Sequence, residues 1–306
     1  MALHRLASIT IGVPNIEETC QFYAEFGLTR DGGRFSTADF GQQLHIVEAR
    51  SRRLIEMVVG ADDPDDLDRV TDQLARLGVN ALRDAASVRA VEPHSGARVA
   101  VEITPRLSQE PAAVAPCNGP GRAERENDRA AGILRQESIR PRKLGHVVIG
   151  TPDADASRRF FVDGIGFKVS DEVPGIAAFM RCSADHHNLL IQASPVAFLH
   201  HTSWQVDDVD EVGRGAMRML EGHPERHTWG LGRHFIGSNF FWYLRDPAGN
   251  FSEYYSDMDT ITDDQLWEPG TWEPSLRTLY AWGPDVPPSM LEPDDLADLM
   301  ATSHQG

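Results

Sequence analysis

The chain repeats itself. Leu6-Ala-Ser-Ile-Thr-Ile-Gly-Val-Pro14-Asn15 aligns without a gap on Leu144-Gly-His-Val-Val-Ile-Gly-Thr-Pro152-Asp153. In both places an alternating apolar strand enters a Pro-Asn or Pro-Asp turn, where Asn15 or Asp153 is expected to cap the helix that follows. Paired aromatics come next, Phe22-Tyr23 and Phe160-Phe161, and then Phe26-Gly-Leu and Ile165-Gly-Phe. A duplication of this kind restricts the fold to two copies of one module. The 306 residues suffice for two domains with their own cores.

Residues 107–138 separate the copies. They hold Pro111, Pro116, Gly119, Pro120, Gly121 and the charged run Arg122 to Arg129, without sustained apolar periodicity, and read as a linker. The organisation expected is an N-terminal domain over 1–106, the linker, a C-terminal domain over 139–257 and a tail over 258–306. In the second copy, strands are expected near 143–150, 176–182, 188–193, 200–206, 240–245 and 250–256, with helices near 154–163 and 208–221. This is an α+β pattern of repeated βαβββ units. Residues 257–306 carry eleven acids against one Arg, yet Trp267, Trp272, Tyr280 and Trp282 imply that the tail packs on something.

Acidic residues outnumber basic ones by 46 to 29, and no Lys/Arg stripe exists, so nucleic acid and anionic membrane are poor partners. A small molecule is the expected ligand. Cys20, Cys117 and Cys182 are odd in number, widely spaced and without a CxxC pair, so neither a disulfide framework nor a structural zinc site is expected. A reducing cytoplasm fits this usage. No apolar run reaches the length of a bilayer span, and the first residues lack a secretory signal. A homo-oligomer is expected.

Three residues in short apolar, strand-like segments of the second copy could form a metal site: His146, His201 and Glu253. Two imidazoles and a carboxylate on one face of an ion leave adjacent positions open, as in non-haem Fe(II) centres. A single His in an apolar strand is more often a hydrogen-bonded core residue. A carboxylate in a buried strand, however, is costly unless paired or bound to a cation. His200 and His201 are adjacent, so strand alternation should send them to opposite faces. The pair His186-His187 poses the same choice.

With these segments in hand, the chain resembles the vicinal oxygen chelate superfamily, and within it the two-domain type I extradiol ring-cleavage dioxygenases, over about residues 4–257. The likeness is carried by Gly-His146-Val-Val, Asp185-His-His187-Asn-Leu-Leu, Leu-His-His201-Thr-Ser-Trp-Gln-Val, Gly232-Arg-His234 and Tyr243-Leu-Arg-Asp-Pro-Ala-Gly-Asn-Phe-Ser-Glu253, in the family's order. The resemblance implies paired βαβββ modules forming an incomplete barrel, with the C-terminal domain catalytic and the N-terminal one degenerate. Ser8 indeed stands where His146 stands in the other copy. It implies His146, His201 and Glu253 as ligands of Fe(II), with Mn(II) possible for the same donors. The motif His-x-x-aromatic-x-Val selects His201, leaving His200 outward or behind the ligand.

Further roles follow from the same resemblance. His187 matches the acid–base histidine, with His186 the alternative, and His234 and Tyr243 match residues around the substrate and oxygen. The expected reaction is extradiol cleavage of a catechol by O₂ in aromatic catabolism. A non-oxidative isomerase or epimerase of the same fold would leave His187, His234 and Tyr243 unexplained. A metal-free drug-binding protein would not need His146, His201 and Glu253 together. Without an identifiable Arg/Lys pair at the site, neutral apolar-substituted catechols or fused-ring diols are expected over carboxylated ones, with Arg233 and Arg245 the residues most able to reverse that.

Overall fold

The computed structural model describes residues 3–303, in which the two copies form two separate sheets. The first contains β1 (Leu3–Val13), β2 (Thr29–Asp31), β3 (Arg34–Thr37), β4 (Gly41–Glu48), β5 (Arg53–Ala61), β6 (Ala81–Arg83), β7 (Ser87–Val91) and β8 (Arg98–Ile103), in the order β2-β3-β4-β1-β5-β8-β7-β6. The second contains β9 (Lys143–Thr151), β10 (Lys168–Val173), β11 (Ala177–Arg181), β12 (Leu189–Ala193), β13 (Phe198–Gln205), β14 (His227–Arg233), β15 (Phe240–Arg245), β16 (Phe251–Ser256) and β17 (Gly270–Thr271), in the order β14-β15-β16-β13-β9-β12-β11-β10-β17.

One unit generates both sheets. Its first strand pairs parallel with its own fourth: β1 with β4, β5 with β8, β9 with β12, β13 with β16. Parallel pairing demands a crossover, which the helix after each first strand supplies. The first strands of two units then pair antiparallel at the centre, β1 with β5 and β9 with β13. In the C-terminal sheet the outer strands β14 and β17 do not bond to each other, so the barrel is incomplete, as the α+β reading expects.

The helices start where local chemistry satisfies their first amides. Asp63, Asp153 and Asp208 accept from the backbone N–H of Asp66, Ala156 and Glu211 at 3.0, 2.9 and 3.0 Å. Asn15 does not cap. Its amide donates instead to the Pro247 carbonyl of the other sheet's β15–β16 turn, 2.8 Å away. The helix expected near 154–163 runs as Ala154–Arg159 and widens into a π turn over Phe160–Ile165.

The sheets share a core. Phe26 stacks on Tyr254 with ring centroids 3.8 Å apart, and the Tyr254 hydroxyl donates to the Phe26 carbonyl at 2.6 Å. Gln43 accepts from the Leu144 amide at 2.9 Å, tying β4 to the start of β9. No helix among the described residues is long and apolar enough to cross a membrane.

The tail closes the barrel's open side. At one edge Trp272 N–H donates to the Glu172 carbonyl and β17 pairs with β10. At the other, Arg233 and Trp282 form a bridge, and Ala281 N–H donates to the Arg233 carbonyl. The intervening stretch therefore spans the mouth between β10 and β14. The four tail aromatics anchor it: Trp267 on His186, Trp272 on Phe235, Tyr280 on Trp229 and Trp282 on Phe240.

Candidate active site

Strand register brings the site together. In one row across the C-terminal sheet stand His146 on β9, Ser203 on β13, Glu253 on β16, Tyr243 on β15 and Trp229 on β14, each opposite the next. Residues directly opposite one another project from the same face. His201 lies two positions before Ser203 on β13 and shares that face. The turn Asp246-Pro-Ala-Gly-Asn250 sets the register between Tyr243 and Glu253, because the Asp246 carboxylate accepts from the amides of Ala248 and Asn250 at 2.9 Å each. Burial pushes that carboxyl up to about 6 despite these bonds.

The donors of His146, His201 and Glu253 converge. His146 Nε2 lies 3.2 Å from His201 Nε2 and 3.1 Å from Glu253 Oε2, and His201 Nε2 lies 3.7 Å from that same oxygen. All three residues are buried, and they are the one such cluster of donors among the described residues. Glu253 Oε2 has no hydrogen-bond partner, while Oε1 accepts from Asn239 Nδ2 at 3.1 Å. A buried carboxylate oxygen facing two imidazole nitrogens needs a cation. Ligands bound cis at roughly 2.1 Å from a shared ion stand about 3 Å apart, so the spacing suits a metal.

Burial sets the protonation states. It drives His201 and His187 well below the ordinary imidazole value, with His200 adding to the effect on the first and His146 on the second. For Glu253 burial acts upward, but the neighbouring imidazoles of His146 and His234 outweigh it and hold the carboxyl below its usual range. Burial, reinforced by Glu253, lifts the Tyr243 phenol well above its usual value. His201 and His187 thus present lone pairs, and Glu253 a negative charge, at neutral pH.

The remaining sequence candidates surround this cluster. The His187 ring packs on His146 with centroids 4.2 Å apart and faces the cavity, whereas His186 turns toward Asp171, 3.4 Å away, and Trp267. His234 Nδ1 is 2.6 Å from the Leu279 carbonyl, so it carries the proton there, and Nε2 accepts from the Tyr243 hydroxyl at 2.9 Å. That Nε2 is also 3.6 Å from Glu253 Oε1.

Strand alternation alone does not place His200. It does not face away from His201: both line the same cavity. Leu199 pairs with Ile149 and His201 with the adjacent Val148, so His200 is the extra residue of a β-bulge, which breaks the alternation on which the expectation rested.

The cavity measures about 310 Å³. Val148, Phe179 and Trp229 of the sheet and Ile236 of the β14–β15 loop wall it, and Leu276, Leu279, Val286 and Met290 roof it from the tail. No Lys or Arg lines it. Arg233 pairs with Asp257 at 2.7 Å and lies over Phe240, and Arg245 pairs with Asp294 at 2.6 Å, so both are engaged elsewhere. Sequence reasoning missed Asn239 and Trp229. Asn239 follows a Gly-Ser turn and reads as loop polarity, and Trp229 sits among glycines that mask β14.

Comparison with known proteins agrees with this architecture. The family model described as the Glyoxalase/Bleomycin resistance protein/Dioxygenase superfamily matches residues 143–254, which run from β9 to β16. "Metapyrocatechase 2" of Cupriavidus necator is 32% identical over 300 residues, covering 94% of this chain and 91% of the relative. An "Iron-dependent extradiol dioxygenase" of Rhodococcus jostii is 28% identical over 139 residues, 40% of this chain and 46% of its own. The crystal structure of a Mn(II)-bound glyoxalase from Novosphingobium aromaticivorans shares the fold, with a TM-score of 0.74 at 24% identity over 94% of both chains. The chain belongs to the type I extradiol dioxygenases of this superfamily.

Proposed function

We propose that the chain cleaves the ring of a catechol beside its two hydroxyls, using O₂ and a divalent metal held by His146 Nε2, His201 Nε2 and Glu253 Oε2. The observation that carries this reading is the convergence of those three donors at the head of an apolar cavity. Fe(II) is the metal proposed, with Mn(II) the alternative, because both accept this donor set and both can take part in redox chemistry. When bound, the metal brings a chelating diol and O₂ to adjacent positions, which turns their encounter into an intramolecular step.

The chain's own groups then divide the work. Tyr243, protonated and hydrogen-bonded to His234, orients one diol oxygen and carries no charge that would repel it. His187 engages His186 through Nδ1 at 3.1 Å, which leaves Nε2 for a bound molecule. Buried and neutral, it takes a proton as the substrate ionises and returns it on the oxygen side of the site. Trp229, Leu279 and their neighbours keep water out and hold the ring.

The same walls support a substrate class. A carboxylate entering this cavity would shed hydration worth several kcal/mol with no fixed cation to meet it, while an alkyl or aryl group gains about 25 cal/mol per Å² buried. Neutral, apolar-substituted catechols are the proposed substrates. Comparing turnover of an aryl-catechol with that of a dihydroxyphenyl carboxylic acid tests it, and a clear preference for the acid would overturn the substrate class.

A further inference from the structure

The two imidazoles of the candidate metal centre are not held alike. His146 Nδ1 is buried without a protein partner, whereas His201 Nδ1 lies 2.7 Å from His200 Nδ1. His200 Nε2 in turn lies 2.9 Å from the Met290 carbonyl oxygen in the tail. A carbonyl oxygen only accepts, so His200 must carry its proton on Nε2 to make that bond. In the neutral ring Nδ1 is then a bare acceptor. It meets His201 Nδ1 favourably only if His201 donates from that atom, and His201 Nε2 is left with its lone pair toward His146 and Glu253.

The bulge in β13 makes this chain of contacts possible, since regular alternation would have put the His200 ring on the far face. Its surroundings are held from three parts of the chain. Arg52, just before β5, donates to the Leu199 carbonyl next to the bulge and pairs through Nε and Nη2 with Asp295 of the tail at 2.7 and 2.8 Å. The His200 ring packs on Phe251 and Phe198 with centroids 5.3 and 6.0 Å away.

We propose that His200 is a positioning residue for the metal centre: anchored on the Met290 carbonyl, it accepts the Nδ1–H of His201 and holds that ring in the tautomer and orientation that binds metal through Nε2. The inference rests on the metal reading above. The Met290 carbonyl's part is to fix which His200 nitrogen is the acceptor, a choice of tautomer that an amide oxygen in the same place does not require. Loss of such an outer partner costs about 10- to 100-fold in metal affinity.

The test uses the full-length metal-free protein, titrated anaerobically with Fe(II) alone and with Mn(II) alone against a chromophoric chelator. His200→Phe keeps the ring packing and removes the acceptor. His200→Asn keeps an acceptor oxygen near the place of Nδ1 but loses the Met290 bond. The expected result is one equivalent bound by the wild type, a Kd about 10- to 100-fold weaker for His200→Phe, and recovery to within roughly threefold of wild type for His200→Asn. A purely structural role would weaken both variants alike, and that outcome, or full affinity in His200→Phe, overturns the inference. If His200→Phe does not fold, His200→Leu makes the same comparison. His201→Ala separates the two readings: if the wild type binds metal and His201→Ala does not, an unaffected His200→Phe overturns this inference alone. Metal retained by His201→Ala overturns the metal reading and this inference with it.

Discussion

Replacing Gly145 with alanine should disturb both fold and site, because this residue lets β9 approach Tyr255 closely enough to place His146. Leu144 pairs with Trp204 and His146 with Ser203, so Gly145 is the extra residue of a bulge immediately before the candidate ligand. A Cβ at this position would lie 2.1 Å from the Tyr255 hydroxyl oxygen and 2.4 Å from its Cε1. Favourable contacts begin near about 3.5 Å, so the groups must separate by more than roughly 1 Å. Tyr255 is fully buried two residues after Glu253, so the shift falls on β9 or β16, and each carries a ligand donor. Overpacking of this kind costs about 1–3 kcal/mol, and a displacement near 1 Å at the site costs on the order of 10²-fold in turnover. Gly213→Ala is the control: in the helix Val209–Leu220 its Cβ meets nothing within 4 Å. There the same change should stabilise by up to about 1 kcal/mol. Urea unfolding of the metal-free proteins, metal content and turnover are the measurements. Wild-type stability and metal content in Gly145→Ala would show that β9 and Tyr255 separate without cost to the fold or the site.

Other expectations follow from the same geometry. His187→Gln should keep metal and lose turnover by about 10²–10⁴-fold, whereas His186→Gln, whose ring faces Asp171 and Trp267, should lose far less; steady-state kinetics with metal analysis distinguishes them, and the reverse order would exchange their roles. Leu279→Trp should fill part of the roof and lower kcat/KM for aryl-catechols by about tenfold or more while sparing unsubstituted catechol; equal loss for both substrates would place the substituent elsewhere. The Asp246 carboxyl is raised in the folded state to about 6, so its contribution is fully present below the ordinary 3.8 and is lost as pH rises through about 6. Asp246→Asn should therefore gain up to about 3 kcal/mol relative to wild type between acid and pH 8, read from urea unfolding at both pH values. A difference that does not change with pH would show that the wild-type carboxyl is not raised.

Much of this was visible in the residues, and what escaped has physical reasons. The duplication gave the paired units, and the apolar alternation of Leu144 to Ile149 marked β9. Strand β10 escaped because Lys-Val-Ser-Asp-Glu-Val carries three charges on a strand near the sheet edge, where they reach solvent or, as with Asp171, a tail amide. Strand β14 escaped because Gly230 and Gly232 read as loop, although Trp229 within it stacks on Tyr243 at 5.7 Å. The shared face of His200 and His201 depends on a bulge, which is a property of pairing between strands and leaves no mark in one strand's sequence. The tail's aromatics mark it as packed but not on what, and only the crossing from β10 to β14 shows why Leu276, Leu279 and Met290 face inward.

In the proposed reaction His146, His201 and Glu253 hold a divalent metal which, with His187, His234 and Tyr243, opens a catechol ring. The most direct measurement is anaerobic reconstitution of the metal-free protein with Fe(II), and separately with Mn(II), followed by an aryl-catechol in air, beside His146→Ala, His201→Ala, Glu253→Ala and Ser8→Ala. One metal per chain and a yellow ring-opened product are expected from the wild type and Ser8→Ala, and neither from the three ligand variants. Full metal content in any ligand variant, or a metal-loaded wild type that leaves every catechol intact, would contradict it.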